Sequence, residues 1–160
     1  MNKVYSGEKL QKELDRLRKE GKKIIFTNGC FDILHVGHAR YLQEAKKLGD
    51  ILTVAINSDS SVRAIKGERR PLIPENERAE MVASLASVDY VTIFHESTPL
   101  GLIEYLQPHV IVKGGDWEEE DVVGRESVKK WGGIVVIVPE IGGASTSGII
   151  EKITKVYGNE

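Results

Sequence analysis

The stretch Lys23-Ile24-Ile25-Phe26-Thr27-Asn28-Gly29-Cys30-Phe31-Asp32-Ile33-Leu34-His35-Val36-Gly37-His38 changes its pattern midway. Residues 23–27 form a β-branched and aromatic run too brief for a helix, so they read as a strand. A helix near 37–48 follows, giving strand, loop and helix in succession. Upstream, Leu10, Leu14 and Leu17 fall at helical spacing after Ser6 and stop at Gly21, which predicts an N-terminal helix. Downstream the alternation continues. Strands are predicted at 51–56, 90–94, 110–112 and 134–138, and helices near 75–86, 99–106, 121–131 and from about Ser147. Continuous apolar strands such as Ile134-Val135-Val136-Ile137-Val138 suit burial on both faces, and β–α alternation implies parallel pairing through right-handed crossovers. The expected fold is α/β, a doubly wound open parallel sheet of five strands. Ser58 to Pro74, with Lys66, Gly67, Arg69, Arg70 and two prolines, reads as a long cationic loop after the second strand.

A chain of 160 residues with 41% hydrophobic content fills one core, so a single domain is expected, with an N-terminal helix in 1–21 and an α/β core in 22–160. Against 24 acidic side chains stand 22 basic ones; a net charge of −2 argues against a nucleic-acid partner. No apolar run approaches the roughly 20 residues that cross a bilayer. The first 20 residues are too charged for a signal peptide, so no membrane partner and a cytoplasmic location are expected. Cys30 is the sole cysteine. It agrees with a reducing compartment and reads as a small buried residue.

In a sheet of this kind ligands sit beyond the carboxyl ends of the strands, so three loops carry the chemistry. The first is Thr27 to His38. Composition alone would produce His-x-Gly-His about 0.01 times in such a chain. His35 and His38, three residues apart, share a face at a helix N-terminus, where free N–H groups and the dipole favour an anion. Gly37 leaves the backbone open to a phosphate. A zinc site would need a third ligand, which Asp32 could supply. His95 and His109 have no companion motif and read as structural or surface residues. The second loop is Val112-Lys113-Gly114-Gly115-Asp116-Trp117, where Lys113 offers a cation, Gly115 close backbone approach, Asp116 an acceptor for hydroxyls and Trp117 a flat surface. The third is Gly142 to Gly148. One of Ser145, Thr146 and Ser147 is accounted for as a helix N-cap, and three hydroxyls behind two glycines suit a phosphate cradle.

These residues, with Asn57-Ser58-Asp59 and Leu72 to Arg78, resemble the cytidylyltransferase-like nucleotidyltransferase superfamily. Val112 to Asp116 and Asn57 to Pro74 are similar to the adenylyltransferase domain of the bacterial heptose 1-phosphate enzymes. The resemblance runs from about Lys22 to Ile153 and implies a free-standing form without a kinase segment. It implies transfer of AMP from ATP to a sugar 1-phosphate, with pyrophosphate released and ADP-heptose formed for lipopolysaccharide core or a related heptose glycan. The acceptor phosphate, with a second pKa of about 6, is already an anion and needs no general base. Catalysis then consists of positioning and preorganised positive charge.

The roles that follow by resemblance are His35 and His38 on the triphosphate, with His38 donating to the α-phosphate in the transition state. Lys66 bridges the two phosphates, and Arg78 with Ser145, Thr146 and Ser147 holds the β- and γ-phosphates. Nucleotide contacts are further expected from Asn28, Gly29, Phe31, Asp32, Gly37, Lys113, Gly115 and Asp116, and sugar contacts from Asp32, Asn57, Lys66 and Trp117. Mg²⁺ is expected to enter with ATP on few protein ligands. A homodimer is expected as well. Two departures stand out. Ile149 and Ile150 follow the hydroxyl cluster where the superfamily often has an Arg, so that phosphate contact must come from elsewhere, and Ser147 replaces a common Thr. Rival readings are solvated charge for Lys66, Arg69 and Arg70 and a surface ion pair with Glu77 or Glu80 for Arg78. For the whole chain the rivals are a cytidylyltransferase of a polyol phosphate and a non-catalytic nucleotide sensor.

Overall fold

The computed structural model describes residues 2–115 and 117–158. Five strands, β1 (Ile24–Gly29), β2 (Ile51–Asn57), β3 (Tyr90–Phe94), β4 (Val110–Gly114) and β5 (Ile134–Val138), form one sheet in the order β3-β2-β1-β4-β5. Every pairing in it is parallel. Helices α1 (Gly7–Lys19), α2 (Val36–Lys46), α3 (Asp59–Lys66), α4 (Glu75–Ala83), α5 (Leu100–Leu106), α6 (Arg125–Lys130) and α7 (Thr146–Tyr157) connect and flank the strands.

Strand residues alternate between two cores, as a doubly wound sheet requires. Ile25, Val54, Val91 and Val112 join Leu42 and Ala45 of α2 and Ala79 and Val82 of α4 on one face. Ile24, Phe26, Ala55 and Ile111 meet Leu10, Leu14 and Leu17 of α1 and Ile103 of α5 on the other. The three leucines of α1 are the residues whose spacing predicted that helix. Each contributes roughly 1.5–3 kcal/mol by its burial.

Two expected elements are corrected. Ser58 to Pro74 is not a loop throughout. Ser58 caps α3 by accepting the Ser61 N–H at 3.2 Å, and Val62 packs into the core, leaving residues 67–74 as the connection. The helix expected over 121–131 is broken into a 3₁₀ turn (Glu119–Asp121) and α6. Gly124 divides them with φ 87°; a Cβ there would approach Ile103 to 2.9 Å and Ile111 to 3.1 Å. Only a glycine meets both the backbone angle and the packing.

Candidate active site

The chain runs from β1 outward to β3 and then crosses to β4, so the switch point of the sheet lies between β1 and β4. These strands pair only at Ile25 with Val110 and Phe26 with Ile111. Beyond that the gap is bridged by side chains. Tyr41 of α2 donates its hydroxyl to Val112 O at 3.0 Å and accepts from Thr27 Oγ1 at 2.7 Å, and Lys113 donates to Asn28 O at 3.3 Å. Above them opens a cavity of about 680 Å³. Of the residues expected at the site, it is lined by Asn28, Gly29, Phe31, Asp32, His35, His38, Asn57, Lys66, Lys113, Trp117 and Ser145 to Ser147. Asp116 lies outside the described residues.

His35 is the N-cap of α2. Its Nδ1 accepts the Gly37 N–H at 3.1 Å, so the neutral ring carries its proton on Nε2. Gly37 owes its place to packing rather than to an open backbone, since a Cβ would come within 2.9 Å of the His35 ring and 3.1 Å of Ala144 O. The His35 and His38 rings stack with centroids 3.8 Å apart, and Phe31, at a left-handed φ of 48°, lies 5.1 Å from His38. His38 Nδ1 is buried with no hydrogen-bond partner among the described residues. Burial, and then the neighbouring His35, push the His38 pKa down to about 4; burial lowers that of His35 as well. Both rings are neutral at pH 7 and serve as hydrogen-bond donors rather than charges.

The cations differ from expectation. Arg78 is not in the cleft. It is fully buried behind it, donating to Ile73 O (2.8 Å), Cys30 O (2.6 Å) and Asn57 O (2.9 Å) and pairing with Asp59 at 2.7 Å. Neither the phosphate contact nor the surface pair with Glu77 or Glu80 describes it; it ties the ends of β1, β2 and α3 together. Lys66 does line the cleft, from the last turn of α3 rather than from a loop. Asp32, expected on the nucleoside or sugar, is engaged by the 67–74 connection. Its carboxylate accepts the N–H groups of Leu72 (2.8 Å) and Ile73 (2.9 Å) and the Arg70 Nε. Burial alone would raise its pKa, but those three donors outweigh burial and hold it below the usual value. Asn57 is turned inward as well, donating to Ser61 Oγ at 3.0 Å.

At the opposite wall Ser145 caps α7 by accepting the Gly148 N–H at 3.0 Å, and Thr146 Oγ1 donates to Ile33 O. The N-termini of α2 and α7 therefore face one cavity, a double source of positive potential for an anion. Burial lowers the Lys113 pKa to about 8, and its ammonium lies 5.4 Å from the Trp117 ring centroid. Gly115 lines a second cavity of about 220 Å³ with Tyr41, Pro139, Ile141 and Ala144. Sequence reading did not single out Tyr41, Pro139 or Ile141, nor Ser97, Thr98 and Pro99 of the β3–α5 connection, which line the main cleft, and it left Arg70, which lines it too, open between site and solvated loop. That connection follows a strand and so lies at the carboxyl end of the sheet, although β3 is an edge strand away from the switch point. Among the described residues no three of His, Cys, Asp or Glu gather to hold a metal, and no helix is long and apolar enough to cross a membrane.

Residues 26–152 match the family described as cytidylyltransferase-like. The chain is 57% identical over 143 residues, 89% of its length, to the bifunctional protein HldE of Geobacter metallireducens, and 51% identical over 98% of its length to that of Pelobacter propionicus. It spans 29% and 32% of those proteins, less than a third of each. Among solved structures, a lipopolysaccharide core biosynthesis protein from Thermoplasma volcanium aligns at a TM-score of 0.64 and 32% identity, covering 78% of this chain and all of that one. Pantothenate synthetase from Thermus thermophilus shares the fold at a TM-score of 0.62 and 16% identity, covering 92% of this chain and 67% of that one.

Proposed function

The chain belongs to the cytidylyltransferase-like family, and from that premise we propose that it transfers AMP from ATP to D-glycero-D-manno-heptose 1-phosphate. An oxygen of the acceptor phosphate attacks the α-phosphorus, the bond to the β-phosphate oxygen breaks, and pyrophosphate leaves with its electron pair. The products are ADP-heptose and pyrophosphate. The observation that carries this reading is the stacked, neutral His35 and His38 between two helix N-termini. Such donors stabilise charge that develops on the phosphates and require no protein nucleophile.

In this reading His38, with His35, hydrogen-bonds the α-phosphate, and Ser147 with the first turn of α7 holds the β- and γ-phosphates. Lys66 and Lys113 balance charge where the two substrates meet, and Trp117 flanks the sugar. The adenine fits the smaller cavity beside Gly115, whose walls Pro139, Ile141 and Ala144 are apolar. Mg²⁺ enters as part of the ATP substrate, where it would offset phosphate charge. The heptose acceptor rests on the motif resemblance and on relatives whose names place them in HldE and lipopolysaccharide core biosynthesis. Use of ATP places the reaction in the cytoplasm, and the working form is a homodimer, which light scattering tests.

The deciding assay mixes protein, Mg²⁺, heptose 1-phosphate and either ATP or CTP, and follows pyrophosphate. Release with ATP and much less with CTP is expected. Equal or greater turnover of CTP overturns the assignment.

A further inference from the structure

Residues 67–74 connect α3 to α4 over the rim of the cleft, and Asp32 holds them to its floor. The Asp32 side chain has no exposure and is held by two backbone N–H groups besides the Arg70 Nε. The Arg70 side chain is 17% exposed and lines the same cavity as His38 and Lys66. Asp32 occupies only its Nε. Its two terminal nitrogens, Nη1 and Nη2, have no hydrogen-bond partner among the described residues. A guanidinium fixed at one edge and open at the other is a fork for a tetrahedral anion, because paired N–H groups match two phosphate oxygens. The fork also answers a gap, since α7 follows its hydroxyl cluster with Ile149 and Ile150 and brings no cation to the cleft in its first turn.

We propose that Arg70, oriented by Asp32, binds a phosphate group of the substrates in the cleft, and that Asp32 is its positioning residue. The inference rests on the reading of the cleft as a site for phosphorylated substrates. Because ionised Asp32 offsets the charge of Arg70, what the pair offers is directed donors more than net charge. A lysine at position 70 keeps the charge and loses both the anchor and the fork. The side chain is also ordered before the ligand arrives, so binding does not bear that entropy cost. The phosphate has two sources, the triphosphate of the nucleotide and the phosphate of the sugar.

The test is calorimetric binding of two probes, inorganic tripolyphosphate and heptose 1-phosphate, to the wild-type protein and to Arg70→Gln, Arg70→Lys, Asp32→Asn and Arg69→Gln. Arg69 is exposed and does not line the cleft. Arg70→Gln is expected to weaken one probe at least tenfold in protein that still unfolds cooperatively, with a lower Tm because Asp32 loses its charged partner, Arg70→Lys to recover less than threefold of that, and Arg69→Gln to bind normally. Weakening of tripolyphosphate assigns the fork to the nucleotide, and weakening of the sugar phosphate assigns it to the acceptor. Asp32→Asn is expected to shift the same probe in the same direction and to add nothing to Arg70→Gln, the signature of a residue acting through another. Wild-type protein that binds neither probe, or Arg70→Gln that binds both normally, overturns the proposal. No turnover is needed, so failure of the ADP-heptose reaction leaves this result readable; should Asp32→Asn fail to fold, the Arg70 variants still decide it.

Discussion

His38 and His109 sit at opposite ends of the sheet, and burial lowers the pKa of both. They differ in where the second ring nitrogen goes. His109, just before β4, accepts the N–H of Ile24 on Nδ1 at 2.9 Å, while its own backbone N–H donates to Ile24 O and its carbonyl accepts from Ile134. It joins β1, β4 and β5 at their amino-terminal ends. His38 leaves Nδ1 unpaired under the cleft. An unpaired buried polar atom costs on the order of 1–3 kcal/mol, and Thr53 Oγ1 and Thr92 Oγ1 inside the sheet bear the same cost; what sets His38 apart is that its unmet atom belongs to a ring lining a cavity. Burial of a histidine is therefore not the sign of function; the unmet hydrogen bond beside a cavity is.

The sharpest way to break that contrast is His38→Ala. If the ring donates to charge that develops only in the transition state, kcat falls about 10²–10³-fold with a smaller change in the KM for ATP. The Tm should hold, since no satisfied hydrogen bond is lost. Steady-state kinetics paired with thermal unfolding check this, with the exposed His95→Ala as control. Near-normal kcat in well-folded protein would sink the catalytic role and leave nucleotide binding alone.

The contrast also marks how far the sequence could be read. All five strands were legible because their apolar runs are continuous, and the His-x-Gly-His segment was legible because its spacing is improbable by chance. Strand order was not legible, since β–α alternation is the same for several orders; Arg70 was legible as a cation but not as the partner of Asp32, 38 residues away in the chain. The helix α3 was missed because Ser58-Asp59-Ser60-Ser61 reads as loop chemistry, although Ser58 proves to be its cap. Arg78 misled for a deeper reason. The family resemblance implied a phosphate ligand and the neighbouring glutamates a surface pair, and nothing along the chain shows that carbonyls of residues 30, 57 and 73 converge on it.

His109→Ala tests the other half of the comparison and should leave kcat per folded molecule unchanged. Removing the acceptor strands the Ile24 N–H inside the sheet, at about 1–3 kcal/mol. The Tm of a domain this size should fall by about 2–4 °C for each kcal/mol. His109→Asn keeps an acceptor near the same place and should recover part of the loss. A His109→Ala protein that is as stable as wild type but slow in turnover would reverse the roles assigned to the two rings.

The smallest effect, and the most direct probe of burial, is the acid dependence of stability. Unfolded histidines take up protons near 6.5, whereas folded His38 resists them down to about 4. Between those values the unfolded chain binds more protons, so the contribution of His38 is fully present above about pH 6.5 and is lost as pH falls toward 4. His35 and His109 shift in the same direction. The carboxylates of Glu8, Glu13 and Asp32 are also lowered, from starting values of 4.5, 4.5 and 3.8, so their loss falls below this window. Each histidine adds at most about 1.4 kcal/mol per pH unit to the slope. Urea unfolding between pH 6.5 and 4.5 should therefore give a shallower decline for His38→Ala than for wild type, with the curves offset little at pH 7. Parallel slopes would mean that water already reaches Nδ1 of His38 in solution. The two histidines would then differ in position but not in kind, and the unmet hydrogen bond could no longer carry the catalytic reading.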